Sequence, residues 1–324
     1  SIHKHEVWYF SEFSTDVDDE LITLLCFVYI VFYVPYCVVQ IKLSILRRYV
    51  IVTTKIKSNC SIIRLIRSIN RKNLTYKLGI NQFADRTREE IILQHTGLKQ
   101  RAPGKKGTVP FPYTKADLAH AVEELPKEHD LRLLGYVSPV KNQGTCGSCW
   151  TFGTTAAVEG ALARINGGRV MSLSNQALID CAWQFEAKGC DGGSDYAAYE
   201  WMMEYGLPTV EDYGNYKNKD GVCHIQNMIT YAIRGYTDVT PFSANALKVF
   251  IIISFEKLQV TFFFSGSGLL SHQAALVGYG DEAGELFWIL KNSWGVDWGE
   301  AGYMSILAKH NNCGVATEPT YVVF

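Results

Sequence analysis

The chain has 324 residues, 48% hydrophobic and 19% charged, enough for a full hydrophobic core and an appended segment. A net charge of −1 excludes nucleic acid as a partner, because phosphate binding needs a basic surplus. Nine cysteines with a single C-x-x-C spacing argue against a paired-cysteine zinc site, so no metal and no cofactor is expected.

The sequence opens at Ser1 without a methionine or a basic-then-apolar leader, which reads as a fragment. Leu21 to Ile41 carries no charge and is long enough to span a membrane. Asp16, Asp18, Asp19 and Glu20 precede it, while Lys42, Arg47, Arg48, Lys55 and Lys57 follow. That polarity would leave the rest of the chain in the cytosol, where disulfides do not persist, so a span at 21–41 is disfavoured. From Leu21 to Ala84 ten Lys and Arg stand against no Asp or Glu, an odd composition for a folded segment. We therefore take residues 1–67 as an atypical N-terminal region, and part of 21–66 as non-native coding sequence such as a retained intron.

Order returns at Ile69, and Gly79-Ile80-Asn81-Gln82-Phe83-Ala84-Asp85 taken alone is a strand and turn. Within residues 96–124, Pro103-Gly104-Lys105-Lys106-Gly107 and then Pro110 and Pro112 resist packing and suit a linker. A compact domain is expected from about Leu125.

Cys146-Gly147-Ser148-Cys149-Trp150 leads into an Ala- and Leu-rich run without proline that stops at Gly167-Gly168, so the spacing predicts a helix over 150–166. Cys149 falls on its first turn, where unpaired N–H groups and the helix dipole favour a thiolate. Three chemistries compete: a redox pair of Cys146 with Cys149, a metal site, and a thiol nucleophile. A nucleophile needs a base and a group to orient that base. His272 opens an apolar run closed by Gly278-Tyr279-Gly280, which reads as a buried strand. Asn292 ends a second such run in Lys291-Asn292-Ser293-Trp294-Gly295. Between them and the first helix, Ser174 is placed to cap a helix ending at Cys181. Gly192-Gly193 would let another backbone approach closely.

Cys-Gly-Ser-Cys-Trp, the His before a strand ending Gly-Tyr-Gly, and Lys-Asn-Ser-Trp-Gly together resemble the papain family of cysteine peptidases. His272 and Asn292 follow Cys149 by 123 and 143 residues, against roughly 130–150 in the family. Gly79 to Asp85 is similar to the G-x-N-x-F-x-D segment of the family's propeptides, and the overall pattern is most similar to cathepsin L-like zymogens of insects. The resemblance implies an α+β fold with a helical left domain, a β-barrel-like right domain and an N-terminal prosegment. It divides the chain into 68–124, an inhibitory propeptide remnant and linker, and 125–324, the peptidase domain.

It further implies Cys149 as nucleophile, His272 as acid and base, and Asn292 as the orienting group shielded by Trp294. The Gln143 side chain and the Cys149 backbone N–H would form the oxyanion hole. Gly192 and Gly193 would hold substrate backbone, with Ser271 and Gln273 bordering the second specificity pocket, where Gln273 replaces a small residue. Family pairing would join Cys146 to Cys190 and Cys181 to Cys223. Residues 249–264 replace a family strand and a loop cysteine, leaving Cys313 without its partner. The expected protein is a monomeric, lysosomal or secreted endopeptidase acting on peptides and held by its own prosegment. Protonation of carboxylates such as Asp85 would release that prosegment in acid. An inactive or misfolding homologue and a thiol-disulfide oxidoreductase are the alternatives.

Overall fold

The computed structural model describes residues 62–72, 78–254, 258–262 and 270–324, and the side chains of 253–262 are left out of account. The 21–41 stretch, most of the atypical 21–66 segment, and Cys26, Cys37 and Cys60 lie outside the described residues. Two compact units divide the chain, 1–91 and 92–324.

In the first unit, residues 62–70 are helical. Asn70 ties this helix to the next described segment: its amide donates to Leu78 O at 2.9 Å and its oxygen accepts from Leu78 N at 2.7 Å. Asn81 Oδ1 accepts from Phe83 N at 3.0 Å, a local Asx turn. Thr87 and Glu90 cap each other's backbone N–H and start α1 (Arg88–His95).

The second unit has a helical half and a sheet half. The helical half is built on α3 (Cys149–Ile165), α4 (Asn175–Cys181) and α5 (Asp195–Tyr205); α2 (Lys115–Glu123) lies in the preceding linker region. Helix α3 is buried from Cys149 to Ala163 and ends before Gly167 and Gly168, whose φ of +63° and +93° suit glycine. Ser174 caps α4, its hydroxyl accepting from Ala177 N at 3.1 Å, as expected. Trp150, Val158, Leu178, Tyr199 and Trp201 pack into the core of this half.

The described strands of the sheet half run in the order β4 (Gly235–Asp238), β9 (Thr320–Val323), β5 (Leu258–Phe262), β6 (His272–Glu282), β7 (Glu285–Lys291) and β8 (Tyr303–Leu307). Strand β1 (His129–Asp130) adds to β6 beside Gly278, where a Cβ would sit 2.5 Å from His129 O. A smaller sheet pairs β2 (Leu207–Pro208) with β3 (Thr230–Tyr231). Helix α6 (Val210–Tyr213) is a single turn.

The expected disruption at 249–264 takes a different form. Its first part belongs to α7 (Ala244–Ser254), whose Val249, Phe250 and Ile251 enter the sheet-side core. Its second part supplies β5, which pairs antiparallel with β6 from Leu258↔Leu276 to Phe262↔His272. The replaced segment thus delivers a strand.

The two halves meet where small side chains allow it. Ala156 of α3 packs with Ala275, Val277 and Ile289 of the sheet, bringing the start of α3 against β6. Among the described residues, no helix is long and apolar enough to cross a membrane, and no cluster of three or more His, Cys, Asp or Glu could hold a metal ion.

Candidate active site

Cys149 occupies the first turn of α3 and is fully buried. Strand β6 begins at His272, also fully buried, and the next residue, Gln273, directs its backbone N–H to the Cys149 sulfur. His272 Nε2 and Asn292 Oδ1 are 2.8 Å apart, and Asn292 follows the last residue of β7. The Trp294 ring lies 4.7 Å from the imidazole and shields that bond, with Trp298 edge-on to it at 4.9 Å. Cysteine, histidine and asparagine, far apart in sequence, thus gather at the seam between the two halves.

Gln143 is fully buried and held from both ends. Its oxygen accepts from Ser293 Oγ at 2.7 Å, and its amide nitrogen donates to Cys146 O at 2.9 Å and His95 O at 3.2 Å. The second of these acceptors belongs to the segment leaving α1. Residues 95–100 cross the site as a strap: Lys99 N donates to Gly193 O at 2.8 Å and Gly193 N to Gly97 O at 2.9 Å. On the other side, Leu98 N reaches Ser271 O at 3.4 Å. Gly192 and Gly193 act as a backbone rail because nothing larger fits. A Cβ on Gly192 would stand 2.3 Å from Gly97 O, and one on Gly193 would stand 2.6 Å from the Trp150 ring.

Burial changes the acidity of both the thiol and the imidazole. Burial pushes the Cys149 thiol up to about 11, against the helix start and the N–H groups of Gln273, Gly97, Trp150 and Leu98, which pull the other way. The thiolate expected from the helix alone is therefore overruled while the site is covered. Burial likewise lowers His272 to about 4, against the raising effect of Asn292. Thiol and imidazole are both neutral under the strap.

Disulfides join Cys146 to Cys190 and Cys181 to Cys223. Cys149 is free, so the C-x-x-C pair is not a bridge, which removes the geometric basis of the oxidoreductase alternative. Cys313 is also free and half-buried. Gln273 is fully buried beside a cavity of about 10 Å³ shared with Phe152, Ala156 and Lys291, and among the described residues its amide finds no hydrogen-bond partner.

A buried ion cluster beneath the site escaped the sequence reading. Glu159, on the inner face of α3, accepts from Ser138 Oγ, from Lys141 Nζ at 2.7 Å and from Leu173 N at 2.9 Å. Lys291 Nζ donates to Ser138 Oγ at 2.8 Å, and burial lowers Lys291 to about 8. The available signal was a lone carboxylate in an Ala-rich helix and a lysine just before Asn292. The strap itself, His95 to Gln100, was likewise not singled out.

Comparison with known proteins agrees with this two-part fold. Residues 125–323 match the papain family cysteine protease model and residues 57–91 the cathepsin propeptide inhibitor domain. The latter begins inside the stretch marked as atypical. Cysteine proteinase 3 of Solanum lycopersicum is 38% identical over 281 residues, 81% of this chain and 76% of its own. Thiol protease aleurain of Arabidopsis thaliana is 37% identical over 281 residues, 80% of this chain and 75% of its own. Digestive procathepsin L2 proteinase from Tenebrio molitor larval midgut aligns with a TM-score of 0.76 at 28% identity, over 94% of this chain and 100% of that one. Recombinant stem bromelain precursor gives 0.73 at 26% identity, over 94% and 99%. The chain belongs to the papain family of cysteine proteases. It carries that family's inhibitory propeptide, and its helical and sheet halves correspond to the two domains of the papain fold.

Proposed function

We propose that this zymogen matures into an endopeptidase in which Cys149 is the nucleophile, His272 the general acid and base, and Asn292 the group that orients the imidazole. The observation that carries the reading is the strap laid over a free cysteine on a helix start, next to a histidine bonded to Asn292. With the strap gone, water reaches the pair, the burial penalty falls, and the proton moves from sulfur to imidazole. The thiolate then attacks the scissile carbonyl, forming a C–S bond and an oxyanion. Gln143 Nε2, which holds the His95 carbonyl in the zymogen, and the Cys149 N–H would stabilise that oxyanion. His272 gives its proton to the leaving nitrogen as the C–N bond breaks. It then takes a proton from the water that attacks the thioester, and the carboxylic acid leaves as sulfur recovers its proton.

Gly192 and Gly193 are assigned to substrate backbone, Ser271 and Gln273 to the border of the second specificity pocket, and Trp294 to shielding the His272–Asn292 bond. Processing is placed in the linker ahead of Leu125, freeing 125–324. The two disulfides suit an oxidising compartment, hence a lysosomal or secreted enzyme. The β5 pairing favours an active enzyme over an inactive homologue, since the strand beside His272 is present. A thiol-reactive epoxide probe tests the assignment. It should label Cys149 of the acid-processed protein, with loss of peptide hydrolysis; processed protein that stays unlabelled and cleaves no peptide would reject it.

A further inference from the structure

An arginine in a linker rich in proline and glycine ordinarily extends into solvent. Arg101 instead folds inward, its side chain only 15% exposed, with Nη1 2.7 Å from Asp238 Oδ1 and Nη2 3.3 Å from Asp195 Oδ2. The carboxylates come from separate elements of the domain: Asp195 opens α5, Asp238 ends β4, and Glu318 precedes β9. Thr320 Oγ1 donates to Asp195 Oδ2 at 3.2 Å and fixes that carboxylate, and the Tyr196 ring lies 5.8 Å from the guanidinium carbon. Burial works against the cation, but Asp195 and Asp238 more than offset it and Arg101 stays charged. Burial also raises Asp195 and Glu318, which therefore depend on a cation to remain ionised at modest cost. Among the described residues, Arg101 is the only basic side chain paired with Asp195 or Asp238.

The cluster stands at the end of the rail. Asp195 is two residues past Gly193, which holds the strap at Gly97 and Lys99. Arg101 follows Leu98, which bridges Gly193 on the rail, by three residues, a span of roughly 10 Å in extended chain. Removing the strap leaves two carboxylates without their cation beside a groove that holds peptide backbone, and a cation that restores the pairing is favoured there.

We propose that Asp195 and Asp238 form a side-chain pocket of the peptidase domain selective for a guanidinium, filled by Arg101 in the zymogen and by an arginine of a peptide substrate in the processed enzyme. Arginine fits better than lysine because two carboxylates on separate elements engage two nitrogens of one planar group, whereas an ammonium presents a single charge centre. The substrate role rests on the endopeptidase reading; the pocket does not.

Two experiments separate them. In the full chain, Arg101→Ala should loosen the strap and raise epoxide labelling of Cys149 about tenfold at neutral pH. Ethylguanidine should restore protection and ethylammonium should not, and Asp238→Asn in the same background should abolish the rescue. If the alanine variant fails to fold, Arg101→Gln serves in its place. In the processed enzyme, peptides scanning arginine against its neutral isostere citrulline should differ in kcat/KM by tenfold or more at one position, and Asp238→Asn should collapse that ratio. Absence of rescue together with equal kcat/KM overturns the proposal while leaving the endopeptidase standing. If neither labelling nor cleavage occurs at all, the endopeptidase reading fails and thermal stability decides the pocket alone. Ethylguanidine raising the Tm of Arg101→Ala, but not of Arg101→Ala with Asp238→Asn, supports it, and no rise overturns it.

Discussion

Gly97→Ala tests the strap at its tightest point. A Cβ at 97 would lie 1.8 Å from Gly147 O, 2.4 Å from Gly147 C and 2.8 Å from Gly147 Cα. All three are backbone atoms on the entry to α3, so no rotamer change relieves the overlap and the strap must lift. Lifting breaks Gly193 N→Gly97 O at 2.9 Å and strains Lys99 N→Gly193 O at 2.8 Å. At about 0.5–1.5 kcal/mol net for each bond, inhibitory docking weakens by about 1–3 kcal/mol. That corresponds to a roughly 5- to 150-fold larger open fraction. The assay is the second-order rate of epoxide alkylation of Cys149 in the unprocessed chain at neutral pH, with circular dichroism to verify folding. A folded Gly97→Ala protein alkylated no faster than the parent would show that the strap does not control access to the thiol.

Three further outcomes follow from the same geometry. His272 is lowered to about 4, so from its ordinary value of 6.5 downward the covered state resists a proton that the open state accepts. The folded value is depressed; its contribution to strap closure is therefore complete above about 6.5 and lost toward 4, and in a Cys149→Ala background His272→Gln should make release of the strap, read by limited proteolysis, less dependent on acid. Asn292→Ala removes the 2.8 Å bond to the imidazole and should lower kcat of the processed enzyme about tenfold or more with little change in KM, measured with a fluorogenic peptide. Glu159→Gln leaves Lys141 without its buried counterion at 2.7 Å and should destabilise the domain by about 3–5 kcal/mol, a loss of roughly 6–20 °C in Tm.

What could be read from sequence was what local chemistry dictates. The start of α3, its stop at Gly167-Gly168 and the Ser174 cap each rest on a few neighbouring residues, and each lies where those residues place it. The gathering of Cys149, His272 and Asn292 was legible only through family resemblance, since nothing in their spacing reports proximity. Residues 249–254, Val-Phe-Ile-Ile-Ile-Ser, carry β-branched side chains that favour strand, yet they form the end of α7. Tertiary context wins there: Leu247, Val249, Phe250 and Ile251 are all buried in the sheet-side core. Cys149 misled for a related reason. A helix start lowers a thiol's pKa, but here burial under the strap outweighs it.

The direction of the strap explains why a peptide lying on the proposed nucleophile is not itself a substrate. Leu98 bridges Gly193 in the parallel sense, and its N–H donates to Ser271 O at 3.4 Å. Attack requires a carbonyl carbon facing the sulfur and its oxygen facing donors. The nearby carbonyl that does face a donor, His95 O on Gln143 Nε2, belongs to a residue that is itself buried. The strap therefore satisfies the proposed oxyanion donor with a ground-state carbonyl and runs along the rail in the parallel sense, while burial beneath it keeps thiol and imidazole neutral. Inhibition here is geometric as well as steric, so a peptide of the same sequence bound with reversed polarity would lose each of these protections.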